Sequence, residues 1–132
     1  MITEDYCSFE VAKLLKDKGF DEKCEYCYAY FDDNDIRVFE LRPNKNVQNL
    51  AENRYPYVTH QIAMKWLREM YKKHCDIGYD IDLEWYFQII DLEKVEYDYP
   101  EIGYYHSENE TNFKTYEEAV EEALKYLLKN VI

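Results

Sequence analysis

Apolar residues recur every three or four positions in three stretches of the chain, and every second position in the stretches between them. The first spacing predicts amphipathic helices and the second half-buried strands. One helix is expected from about Ser8 to Lys18. Ser8 is a suitable N-cap, Val11, Leu14 and Leu15 make an apolar stripe, and Gly19 offers the left-handed residue that ends a helix. Phe20 is then placed to fold back on Leu15. A second helix is expected after Pro56, from Thr59 to about Lys73. Ile62, Trp66, Leu67 and Met70 fall on one side of it, and Lys65, Arg68 and Lys72 on the other. The third carries the clearest signal. Thr115 and Glu118 have capping-box spacing, and Ala119, Val120, Ala123, Leu124, Leu127 and Leu128 follow at helical intervals. Its acids (Glu117, Glu118, Glu121, Glu122) precede Lys125 and Lys129, as the helix dipole favours.

Between the helices the period is two. CEYCYAYF and DIRVFEL flank the turn-forming Asp32–Asp35 and read as a hairpin. Residues 77–89 alternate Ile77, Tyr79, Ile81, Leu83, Trp85, Phe87 and Ile89 with mostly polar neighbours. They read either as one long strand or as a strand pair bent near Asp82. Val95, Tyr97 and Tyr99 predict a further strand ending at Pro100, and Tyr104 and Tyr105 a last short one. The polar, asparagine-rich stretch from Arg42 to Tyr57 reads as a long surface loop. The order α-β-β-α-β-β(-β)-α predicts an α+β fold with three helices packed on a mostly antiparallel sheet, in a single domain over residues 1–132. Trp66, Leu124 and Leu127 are expected between the layers.

Composition narrows the setting. With 47% hydrophobic residues in a chain of 132, the protein has enough apolar surface for a core. Only 3 Gly and 3 Pro occur, so no low-complexity linker is expected. No run approaches the roughly 18 apolar residues that cross a membrane. The start, MITEDYCSFEV, has acids where a secretory signal has bases, so a cytoplasmic location is expected. Cys7, Cys24, Cys27 and Cys75 are too sparse for a disulfide scaffold, so free and mostly buried thiols are expected. A formal charge of −12 opposes direct binding to nucleic-acid phosphates or to an anionic membrane.

Three segments, CSFEVAKLLKDKGFDE, THQIAMKWLRE and TYEEAVEEALKYLL, resemble a family of small proteins from gut Bacteroidetes genomes and their phages or mobile elements. The resemblance implies a phage or mobile-element origin. It carries no assigned activity, and so no catalytic residues to transfer.

The candidate chemistry is thin. Cys24-Glu-Tyr-Cys27 has the spacing of a two-thiolate zinc bite, with His74 and Cys75 as the nearest second pair. Adjacent residues diverge, however, and in a regular strand Cys24 and Cys27 point to opposite faces. A redox pair needs a helix N-terminus, whereas this one opens a strand. Buried structural thiols are therefore expected, with no cofactor and no metal. Asp80, Asp82 and Glu84 alternate on one strand face, where carboxylates about 6–7 Å apart suit Mg²⁺ or Mn²⁺. The plainer reading is a solvated face, with Ile81, Leu83 and Trp85 supplying core behind it. His60, His74 and His106 lack a nucleophile motif. His74 is expected in the last turn of the second helix, and Gly19, Gly78 and Gly103 make no phosphate loop.

Charge is distributed unevenly. Residues 42–75 hold seven Lys and Arg against two acids, a net of +5, while residues 76–122 hold fifteen acids against two lysines, a net of −13. Internal pairing is the ordinary explanation, and pairing across a subunit interface the sharper one. The candidate interaction residues are Asp80, Asp82, Glu84, Glu96 and Asp98 on acidic strands, and Lys65, Arg68 and Lys72 on the basic helix. Tyrosine, at 15 residues, is expected mainly as half-buried packing, with an interaction surface as the lesser reading. The leading functional expectation is a non-enzymatic accessory or protein-interaction module that binds a basic protein partner or a second copy of itself. The alternatives are a small metal-dependent enzyme on the Asp80/Asp82/Glu84 strand, and an acidic nucleic-acid mimic.

Overall fold

A computed structural model describes residues 2–94, 103–105 (backbone) and 111–132. The fold is α+β, and the chain divides into two compact units, Met1–Ala63 and Met64–Ile132. The first holds α1 (Phe9–Asp17), β1 (Lys23–Asp32), β2 (Asp35–Asn46), a 3₁₀ turn (Val47–Asn49) and β3 (Arg54–Pro56). The helix α2 (His60–Tyr71) begins there and runs into the second unit. That unit continues with β4 (Lys73–Asp80), β5 (Glu84–Asp91), β6 (Gly103–Tyr105) and α3 (Tyr116–Tyr126), the last prolonged by a π-helical turn, Leu127–Val131. The strands form two antiparallel sheets, ordered β2-β1-β3 and β4-β5-β6, instead of one. The expected strand over Val95–Tyr99 lies outside the described residues.

The helix ends follow their local chemistry. Ser8 Oγ accepts the Val11 N–H at 3.2 Å and opens α1. At the other end Gly19 takes φ 91°, where its N–H donates to the Lys16 carbonyl and that of Phe20 to the Leu15 carbonyl. These two bonds make a Schellman ending, and both Leu15 and Phe20 are fully buried. Thr115 Oγ1 caps α3 by accepting the Glu118 N–H at 3.1 Å. In return the Glu118 carboxylate accepts the N–H of Lys114 at 2.9 Å, one residue before the cap.

The 42–57 stretch is not a surface loop. It continues β2 to Asn46, buries Val47 completely and adds β3 to the sheet. Its amides serve the backbone. Asn46 donates to the Asp21 carbonyl, Gln48 to those of Lys16 and Phe20, and Asn53 to that of Tyr30. The polarity that reads as solvation is spent on satisfying carbonyls.

In the second unit α3 lies against β4 and β5. Cys75 faces Ile89 and Ile77 faces Phe87 across the hairpin, while Tyr126 meets the Phe87 ring at 5.9 Å. Leu124 and Leu127 are fully buried and Trp66 nearly so, as expected. Each such side chain contributes about 1.5–3 kcal/mol relative to exposure. The buried face of α2 is rotated from the expected stripe. Ala63, Met64, Trp66 and Leu67 are buried, whereas Ile62 and Met70 are exposed. Lys73 and Asp91, paired in register at the base of the β4–β5 hairpin, form an ion pair at 3.1 Å with side chains only 12% and 6% exposed.

Candidate functional site

Asp80, Asp82 and Glu84 do not line a strand face, because the chain reverses between them. Asp80 and Glu84 are register partners at the end of the β4–β5 hairpin, and Asp82 sits at its tip. Local polar chemistry makes the turn. Asp80 Oδ1 accepts the Asp82 N–H at 2.8 Å, the Asp80 carbonyl accepts the Leu83 N–H at 3.2 Å, and Glu84 takes the left-handed φ of 56°. Residues 112–114 brace the far side. Asn112 donates its N–H to the Leu83 carbonyl, Phe113 and Trp85 exchange backbone bonds, and Lys114 Nζ reaches both Glu84 oxygens at 3.1 and 3.2 Å. Among the described residues, an ion pair is formed by Glu84 but not by Asp80 or Asp82.

The turn also removes Ile81 and Leu83 from the core. Ile81 is 88% exposed, Leu83 40% and Tyr79 61%, so the tip interleaves apolar side chains with Asp80 and Asp82. Trp85, half-buried, alone of the expected backing residues packs inward, edge-on to Tyr79 and Tyr116. Glu96 and Asp98 lie outside the described residues.

Of the basic candidates, Lys72 stands at the opposite end of this hairpin, immediately before β4. Lys65 is exposed on α2. Lys72, also exposed, takes φ 56° and turns the chain from α2 directly into β4. An eight-residue strand separates Lys72 from the acidic turn, which is about 25 Å of extended chain. That is some three Debye lengths at physiological salt, so Lys72 does not neutralise the tip. Arg68 is half-buried and lowers the pKa of His74, though burial of the imidazole is the larger cause. His74 stands on β4 rather than in the last helical turn, and its buried Nδ1 has no hydrogen-bond partner. His106 lies outside the described residues.

The cysteines show one departure from regular geometry. Between Cys24 and Tyr26 the register with β2 jumps from Lys45 to Glu40. This irregularity turns both Cys24 and Cys27 inward, at 2% and 1% exposure, instead of to opposite faces. Burial, then the neighbouring Cys27 and Glu22, pushes the Cys24 thiol up to about 11. Burial likewise raises Cys27, against the opposing influence of Arg54, and pushes Cys75 up to about 12. No disulfide joins the four cysteines, and these three are poor sources of thiolate at neutral pH.

Sequence reasoning missed a groove of about 240 Å³ in the first unit. It is lined by Tyr6, Tyr26 and Tyr57 together with Lys23, Glu25 and Asn44. Tyr6 stacks on Tyr57 at 4.3 Å and 6°, and Tyr26 meets Tyr57 edge-on at 6.2 Å and 80°. Tyr28 meets the same ring edge-on at 4.9 Å, while its hydroxyl donates inward to the Cys7 carbonyl at 2.6 Å. The alternation Tyr26, Tyr28, Tyr30 was legible in the sequence. The convergence of Tyr6 and Tyr57 on it was not, since these residues lie far apart along the chain.

Fold and surface together define an α+β protein of two antiparallel-sheet units with an acidic-apolar hairpin tip. Comparison with protein-family models, with curated proteins and with solved structures finds no match for the chain. Among the described residues no helix is long and apolar enough to cross a membrane.

Proposed function

We propose that the chain is a non-enzymatic accessory or protein-interaction module that docks a basic protein surface on its β4–β5 hairpin tip. One observation carries this reading: Tyr79, Ile81 and Leu83 are exposed beside Asp80 and Asp82, which have no cation paired with them among the described residues. Exposed apolar side chains supply contact area, and the flanking carboxylates select a partner of opposite sign. The partner is either the basic side of a second copy, with Lys65, Arg68 and Lys72, or a foreign basic protein in the cytoplasm. A phage or mobile-element origin rests on the resemblance of the three segments alone.

The two alternatives fit the tip less well. A metal-dependent enzyme needs carboxylates converging on a cation, but Lys114 holds Glu84 and the Asp82 N–H holds Asp80. A nucleic-acid mimic needs charges spaced along a surface, whereas Asp80, Asp82 and Glu84 close around a single turn.

The test is to replace Asp80, Asp82 and Glu84 together by Asn, Asn and Gln. Partner capture from a host lysate and sedimentation are then compared with wild type while salt rises from about 0.05 to 0.5 M. Loss of capture or of assembly, together with salt sensitivity of the wild-type complex, supports the proposal. An unchanged partner set, oligomeric state and salt response would sink it.

A further inference from the structure

We propose that the tyrosine-lined groove of the first unit binds a small organic cation, of the size of a trimethylammonium or guanidinium group. Tyr57 is held from three sides, stacked by Tyr6 and met edge-on by Tyr26 and Tyr28. Tyr28 is committed to packing by its bond to the Cys7 carbonyl, whereas Tyr6 and Tyr26 line the open space with Tyr57. Tyr26 and Tyr57 stand at 80°, which makes an aromatic corner. Ring faces carry the negative end of the quadrupole, and perpendicular rings around a cation are the arrangement used to recognise quaternary ammonium groups. At about 240 Å³ the groove is smaller than the roughly 300–1,000 Å³ typical of drug-sized ligands, so it suits one compact group.

The surrounding charge has the matching sign. Glu25 adds a carboxylate to the lining. The Tyr6 phenol is raised in pKa by burial first, then by Tyr57, Tyr26, Glu25 and Glu4. Of these neighbours Glu25 and Glu4 carry negative charge at neutral pH, the sign that suits a cation. Lys23 on the same lining opposes a cation, but it is exposed and its long stem lets the ammonium stay in water. An anion is the wrong guest. Thr59, at the start of α2, also lines the groove, but its hydroxyl already takes the Ile62 N–H, and the Asp5 carbonyl takes that of His60. Those first-turn amides are spent, leaving Lys23 as the only full positive charge among the described residues of the lining.

The inference concerns a different surface from the hairpin tip, so either proposal can fail without the other. Binding is measured on the full chain by titration calorimetry and by NMR shifts of the tyrosine rings. The probes are choline, N-acetyl-arginine amide and 3,3-dimethyl-1-butanol, the neutral shape-mimic of choline. Choline or the arginine derivative should bind and shift the Tyr6, Tyr26 and Tyr57 signals, with the butanol at least about tenfold weaker. Choline alone would indicate a free ammonium ligand, and the arginine derivative a side chain presented by a partner; both outcomes support a cation site. Glu25→Gln should weaken the cation about three- to tenfold, and Lys23→Gln should strengthen it. Both replaced residues are exposed, so these variants keep the test valid if Tyr57→Leu disturbs folding. Equal binding of the neutral mimic, indifference to both charge changes, or no binding of any probe would overturn the assignment.

Discussion

Asp80 and Glu84 face each other across the mouth of the β4–β5 turn, so three acids that alternate in sequence close around a hairpin end instead of running along a strand. The residues between them are thereby displayed. Ile81, 88% exposed, contributes almost nothing to burial. Ile81→Ser should therefore change stability by less than about 0.5 kcal/mol in urea denaturation. The same variant should weaken capture of a basic partner if the tip is the docking surface. A loss of several kcal/mol would instead place Ile81 in the core.

Leu124 reports on the second unit. It is fully buried on α3, which packs on β4 and β5. Leu124→Ala removes buried methyl groups and leaves a cavity, at a cost of about 2–5 kcal/mol. A loss below about 1 kcal/mol would mean that α3 does not face this sheet.

Asp91 gives a pH signature. Burial tends to raise its pKa, but the Glu93 N–H at 3.0 Å, the Lys73 ammonium at 3.1 Å and the charge of Lys94 hold it below the ordinary carboxylate value. A carboxylate with a depressed folded pKa binds protons more readily when unfolded. Its contribution is thus fully present above the unfolded value of about 3.9 and is lost as pH falls through the lower folded value. Acid unfolding should show this as a slope below about pH 4 that Asp91→Asn removes. That variant should also be less stable at neutral pH, since it strands Lys73, which is 12% exposed. An unchanged acid profile would show that the pair does not contribute.

The thiols should be kinetically silent. Cys24 and Cys75, at about 11 and about 12, and the raised Cys27 are all buried. Titration with an aromatic disulfide at pH 8 should label the native protein slowly and all 4 cysteines at once in denaturant. Stoichiometric zinc by elemental analysis, lost in Cys24→Ser, would contradict the structural role.

Local sequence determined the helices. The Ser8 and Thr115 caps, the Gly19 ending with Phe20 folded onto Leu15, and the period of α3 each depend on residues within one or two turns. A signal of that range is fully present in the chain. The turn between Asp32 and Asp35 belongs to the same class. Where partners come from far away, tertiary structure decided. Asn46, Gln48 and Asn53 look like loop residues until the carbonyls of Asp21, Lys16, Phe20 and Tyr30 are brought to them. The period-two pattern of residues 77–89 is the same for one long strand and for two paired ones. The choice was made by Asp80 and Glu84 together with the brace from residues 112–114. The inward turn of both Cys24 and Cys27 required a register jump that no spacing rule contains. Tyr6 and Tyr57 stack because α1's leading segment and the residues after β3 meet over β1. Contacts of that kind depend on which distant segments the packed core brings together, and a periodic pattern carries no record of them.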